Sequence, residues 1–245
     1  EILRLRRAAT VSRGPLNADV RHHSVSVADN IGRFCSYFER EADAIKKVCV
    51  NDAAATHTGV GNYVRYQKIL YVAAIDTLAG TRFQTPAYPE LSVRNRERFT
   101  RFLKDFASWP DGELVSTPFL HDRLMKAGFS QRPLASHVAT RLARFSTEDG
   151  GTVPARQMDQ SLEELLPFAQ SQKEENLLRE FQHFALFYRY RNSLVHDSRE
   201  PGDAMETFDE EGAPYYHGYI GEAHWFLCYP LPLFKAILTQ SIPSL

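Results

Sequence analysis

Apolar positions recur at three- and four-residue spacings in several stretches of the chain, the mark of helices that bury one face. Val27, Ile31, Phe34, Cys35, Phe38, Ala42, Ile45 and Val48 share a stripe, with Glu39, Arg40, Glu41, Lys46 and Lys47 largely opposite, which predicts a helix from Ser26 to about Val50. A polar stretch, Asn51 to Gly61, precedes a second run in which Tyr63, Tyr66, Ile69, Leu70, Ala73, Ala74, Thr77 and Leu78 repeat the spacing until Gly80 offers a stop. A third helix is predicted from about Ser92 to Trp109, with Phe99, Phe102, Leu103 and Phe106 forming its apolar face and Pro110-Asp111-Gly112 ending it. Shorter helical pieces follow at Pro118 to Gly128, Pro133 to Phe145 and Met158 to Ala169. A long helix then begins at Lys173, where Leu177, Phe181, Phe184, Tyr188, Arg191 and Val195 keep the period. The region from Tyr215 to Ile242 reads as aromatic and partly helical, with Tyr215 to Ile220 the best strand candidate.

These elements describe an all-α fold: a helical bundle over residues 26–245 with residues 86–167 as an insertion or additional helical subdomain, and residues 1–25 as a basic, irregular arm. A contiguous C-terminal bundle is the alternative. The apolar and charged fractions are those of an ordinary globular protein, and the net charge of −1 offers no global attraction to nucleic acid, so such binding would need local patches. Cys35, Cys49 and Cys228 are widely spaced, which suits small buried hydrophobes in a reducing compartment and predicts a cytoplasmic location. The chain opens on Glu1 without Met, and Arg4, Arg6, Arg7 and Arg13 are not followed by an apolar segment. A secretory signal is therefore not expected, and the chain reads as a fragment. The apolar run from Trp225 to Phe234 is broken by Pro230 and Pro232 and is too short for a bilayer, so no membrane partner is expected.

The candidate chemistry lies where the long helix closes, in Tyr190-Arg191-Asn192-Ser193-Leu194-Val195-His196-Asp197. On an ideal α-helix Asn192 and His196 share a face, whereas Arg191 and His196 stand roughly 140° apart, a gap a long Arg side chain can wrap. The run Arg191-Asn192-Ser193-Leu194-Val195-His196 resembles the motif of the HEPN superfamily, in which an Arg, a polar residue and a His sit on a late helix of a small bundle. The resemblance covers about a dozen residues around the motif. It implies a metal-independent endoribonuclease with Arg191, Asn192 and His196 as its catalytic residues. It also implies a homodimer or a paired second HEPN-like domain that brings two motifs to one cleft, and a role in toxin–antitoxin, antiviral or stress systems with an antitoxin or other regulatory protein as partner.

The residue types suit that chemistry. Attack by the RNA 2′-hydroxyl needs a base, an acid for the leaving 5′-oxygen and positive charge on the crowded phosphorane. His serves proton transfer near neutral pH, and Arg stays charged and donates parallel hydrogen bonds to phosphate oxygens. One motif His cannot easily act as both acid and base, which again favours two motifs per site. Phe187, Tyr188 and Tyr190 surround the helix so broadly that they also predict a partner surface.

Asp76, a carboxylate within the apolar run Ala74 to Leu78, is the accessory candidate: it would face Arg191 or His196, or else form an ordinary salt bridge. Arg94, Arg98 and Arg101 are candidate RNA-binding residues, with Arg96 beside them and Phe99 or Phe102 to stack on bases; a solvated face over a buried aromatic stripe is the plainer reading. His22, His23, His57, His121, His137 and His183 lack metal-ligand spacing, and Gly59-Val60-Gly61 lacks the fuller glycine fingerprint, so neither metal nor cofactor is expected. Two other functions fit the same features: a non-catalytic HEPN module that binds a protein or nucleotide, and a helical scaffold or regulator.

Overall fold

The structure, a computed structural model, describes residues 26–49, 62–84, 86–148, 150–197 and 212–241. The sequence-predicted basic arm and the Gly59-Val60-Gly61 segment lie outside these residues.

Helix α1 (Val27–Cys49) starts at a reciprocal cap in which the Asp29 amide donates to Ser26 Oγ at 3.1 Å while Ser26 Oγ donates to Asp29 Oδ2 at 2.8 Å. Its apolar stripe packs on α2 (Asn62–Arg82). Gly80 does not stop α2, because Ala79 beside it is buried in the core and packing outweighs the cost of one helical glycine. Helix α3 (Asn95–Phe106) and a late helix, α10 (Leu231–Ser241), also pack on α2. Their shared interior contains Val72, Ile75, Phe99, Phe102, Leu103, Phe234 and Ile237, all essentially without exposure.

Between these helices the chain builds a second layer. Helices α4 (Thr117–Lys126) and α5 (Pro133–Leu142) pack on each other, and a three-stranded antiparallel sheet lies beside them. Its strands β1 (Gly151–Pro154), β2 (Tyr215–Gly218) and β3 (Trp225–Cys228) run in that order, with Val153 opposite Tyr216 and Tyr216 opposite Leu227. The fold is therefore mostly helical but carries a small sheet beyond the all-α expectation. Only β2 had a sequence signal, since each strand has four residues, too few to show an alternating period.

Two predicted helices are broken. A short helix α6 (Ala155–Met158) ends where the predicted Met158 to Ala169 helix was to begin, and that segment forms only α7 (Leu162–Leu165) and a 3₁₀ turn, with a capping box at Ser161 and Glu164 opening α7. The long helix from Lys173 divides into α8 (Gln172–Glu180) and α9 (His183–Asn192). At the break the Phe181 carbonyl accepts from the Ser116 amide at 2.9 Å, the His183 amide donates to the Leu114 carbonyl at 2.9 Å, and Gln182 Nε2 donates to the Glu113 carbonyl at 3.0 Å. The segment before α4 thus takes the backbone groups that a continuous helix would pair within itself.

Helix α9 is the centre of the molecule. Phe187 has no exposure and its ring centroid lies 6.2 Å from Phe99, 5.5 Å from Trp109, 5.1 Å from Tyr229 and 4.9 Å from Phe234. Tyr190 packs on Tyr229 and Phe234, and Tyr188 on Phe99. Phe187 and Tyr190 are buried within the chain and so need no partner surface, while Tyr188 is half-buried. Elements from both sequence halves close around α9, so the ring of aromatics is an intramolecular core.

Candidate functional site

Each end of α9 carries a polar centre. At its N-terminal end His183 is fully buried, with Nε2 2.6 Å from Asp159 Oδ2 and Nδ1 2.9 Å from the Tyr229 hydroxyl. The Asp159 carboxylate also accepts from the Thr117 amide at 2.8 Å and lies 2.9 Å from the Tyr216 hydroxyl, which is 2.7 Å from Ser116 Oγ. One carboxylate therefore joins the start of α4, the start of α9 and the sheet. The Tyr216 and Tyr229 hydroxyls are held protonated well above the ordinary tyrosine range, first by burial and then by the Asp159 charge. Asp159, Tyr216 and Tyr229 carried no sequence signal, because the centre is assembled from distant segments with no fixed spacing. The sequence set His183 aside as a metal ligand, since it lacks the spacing.

At the C-terminal end α9 does not close as an α-helix. Ser193–Asp197 forms a π-turn. The i to i+5 bonding widens the turn, so the roughly 140° that an ideal α-helix sets between Arg191 and His196 narrows. His196 and Val195 are exposed there, while Leu194 anchors the turn in the core. Among the described residues His196 has no hydrogen bond or ion pair, and Ser193 Oγ donates to Asp197 Oδ2 at 3.3 Å.

Arg191 is held from two sides. Its Nη2 donates to Asp76 Oδ2 at 2.7 Å and its Nη1 to Asn192 Oδ1 at 2.8 Å, with the guanidinium carbon 5.8 Å from the Tyr188 ring centre. The Arg191 side chain is 14% exposed and that of Asp76 37%, so the pair sits at the edge of the core and opens to solvent. Arg191 Nε is buried without a hydrogen-bond partner. The structure thus brings together Arg191, Asn192 and Asp76, and sets His196 on the turn that follows. Asn192 contacts Arg191, although on an ideal α-helix it shares a face with His196.

A neighbouring feature gave no sequence signal beyond a lysine set at four-residue spacing between Val64 and Val72. Lys68 is fully buried, donates from Nζ to the Tyr190 hydroxyl at 3.1 Å, and lies over the Tyr190 and Phe234 rings at 5.6 and 5.7 Å. It ties α2 to α9 one residue before Arg191.

The arginines at the start of and along α3 pair with residues outside this constellation. Arg94 pairs with Glu97 at 3.0 Å, Arg98 donates to Asn95, and Arg101 pairs with Asp105 at 3.4 Å and Glu90 at 3.7 Å while covering the Phe83 ring. Phe99 and Phe102 have no exposure, so the expectation that they stack on bases fails: the stripe that makes α3 amphipathic is the one it buries. Cys35 and Cys228 are both buried, and burial, with Glu39 nearby, pushes the Cys35 thiol up to about 11. No helix among the described residues is long and apolar enough to cross a membrane. No family model, curated protein or solved structure matches the chain, so the site is read from its own geometry.

Proposed function

We propose that this chain is an endoribonuclease of the HEPN type that cleaves RNA through attack of the 2′-hydroxyl on the adjacent phosphate, without a metal. The observation that carries the reading is Arg191, fixed by Asp76 and Asn192 with its Nε–H unpartnered, next to a π-turn that presents an exposed His196. A guanidinium held in one orientation can stabilise charge as it develops on the phosphorane without first reorganising. Asp76 and Asn192 are positioning residues in this scheme, and His196 moves the proton. Two copies of the motif meeting in a homodimer supply both the base and the acid. The biological setting, a toxin–antitoxin, antiviral or stress system, follows from the motif resemblance.

A second reading, a non-catalytic HEPN module or helical scaffold, is favoured by the same ion pair, because Asp76 already answers the charge of Arg191. Incubating the purified chain with total RNA in EDTA separates the two. The catalytic reading expects cleavage that persists in chelator, leaves 2′,3′-cyclic phosphate ends and disappears in Arg191→Ala and His196→Ala. A strict metal requirement, or unchanged cleavage in either soluble variant, overturns it; binding of RNA without cutting supports the second reading.

A further inference from the structure

A cleft of about 400 Å³ opens between α4, α5 and the β2–β3 hairpin, separate from the Arg191 constellation. Its apolar surface comes from Pro118, Leu142 and the rings of Phe145 and Trp225. Trp225 stands opposite Gly218 across the sheet, and a Cβ on Gly218 would lie 3.1 Å from Trp225 Cζ3 and 3.2 Å from Thr147 Cγ2. Glycine at this position is what lets the indole lie across β2 as one wall of the cleft.

The polar surface comes from His121, Asp122, Thr147 and His224, with His121 Nδ1 3.8 Å from Asp122 Oδ1. Among the described lining residues Asp122 bears the one fixed charge, and neither lysine nor arginine is present. Such a lining disfavours a phosphate and suits a ligand whose N–H groups can donate to a carboxylate. The volume lies within the range of small-molecule sites, and two aromatic walls favour a flat ring.

We propose that this cleft binds a guanine base, its ring against Trp225 and Phe145 and its ring N–H and amino group donating to Asp122. A free guanosine and a guanine within single-stranded RNA present the same edge. The assignment stands on the cleft itself and does not depend on the nuclease reading.

Titration of the chain with guanosine, read by tryptophan fluorescence, tests it, because the other tryptophan, Trp109, is buried away from this lining. The expected result is a saturable change that Trp225→Phe removes, that weakens at least about tenfold in Asp122→Asn, and that Ala143→Phe abolishes by filling the cleft. Ala143 is exposed and in helical conformation, so this variant keeps the wild-type unfolding midpoint. Inosine, which lacks the amino group, binds more weakly. Displacement of guanosine by a guanine-containing hexanucleotide assigns the base to RNA; displacement by free nucleosides alone assigns it to the small molecule. No fluorescence change with guanosine, the same response in Ala143→Phe, or equal binding of inosine overturns the proposal.

Discussion

The two ends of α9 treat their polar groups in opposite ways. At His183 both ring nitrogens are engaged and Asp159 is joined to a backbone amide, an imidazole and a tyrosine hydroxyl, all within the core, while the indole N–H of the neighbouring Trp109 is buried without a partner. At Arg191 one guanidinium nitrogen is buried without a partner, Asp76 reaches solvent and His196 stands exposed on a π-turn. A saturated, inaccessible centre holds structure and has nothing left to offer a substrate. An unsaturated one at the surface does, and π-turns recur at functional sites. The Asp159–His183 pair is accordingly assigned to folding, and Arg191 and His196 are the residues proposed for chemistry, although an Asp–His pair looks more like an active site on paper.

The comparison breaks first if the buried centre can be removed cheaply. Asp159→Ala leaves the Thr117 amide, His183 and the Tyr216 hydroxyl without their acceptor, and a destabilisation of about 3–5 kcal/mol is expected in urea unfolding. A loss below about 1 kcal/mol would show that this centre does not hold the fold.

Alkaline pH acts on the same end more gently. The Tyr216 and Tyr229 hydroxyls titrate above the ordinary tyrosine value of 10 in the folded chain. The folded state therefore binds more protons than the unfolded state once pH exceeds that value. Their contribution is complete below pH 10 and falls as pH rises toward the folded values. Unfolding midpoints measured from neutral to strongly alkaline pH should decline above that point, and a flat profile would contradict the burial of both hydroxyls.

The smallest stability effect belongs to the open end. Arg191→Ala or Asp76→Ala removes one ion pair at the edge of the core, and a cost of about 1 kcal/mol is expected because solvent reaches the carboxylate. A cost matching that of Asp159→Ala would make Arg191 a structural residue.

How far the sequence speaks for itself follows the same division. Helices α1, α2 and α3 are legible because each is long enough for its apolar stripe to repeat, and their observed bounds differ from the predicted ones mainly at the ends. Asp76 was also legible, since a carboxylate inside an apolar run asks for a cation, and Arg191 is that cation. The break between α8 and α9 was not, because the period of Leu177, Phe181, Phe184 and Tyr188 runs through it and the deciding bonds come from Leu114 and Ser116. The Asp159 centre was invisible for the same reason: tertiary hydrogen bonds leave no period in a sequence. The π-turn was read as plain helix, which placed Arg191 and His196 farther apart around the axis than the widened turn does.

The central claim is that Arg191 and His196 perform chemistry, and it is tested most directly by single-turnover cleavage of a defined RNA in chelator by wild type, Arg191→Lys and His196→Gln, each with its unfolding midpoint measured. The account predicts unfolding midpoints close to wild type and cleavage rates lowered at least about a hundredfold in both variants, since lysine keeps the charge but loses the planar fork and glutamine keeps polarity but cannot shuttle the proton. Wild-type cleavage rates in either folded variant, or no cleavage by the wild-type chain, would contradict it.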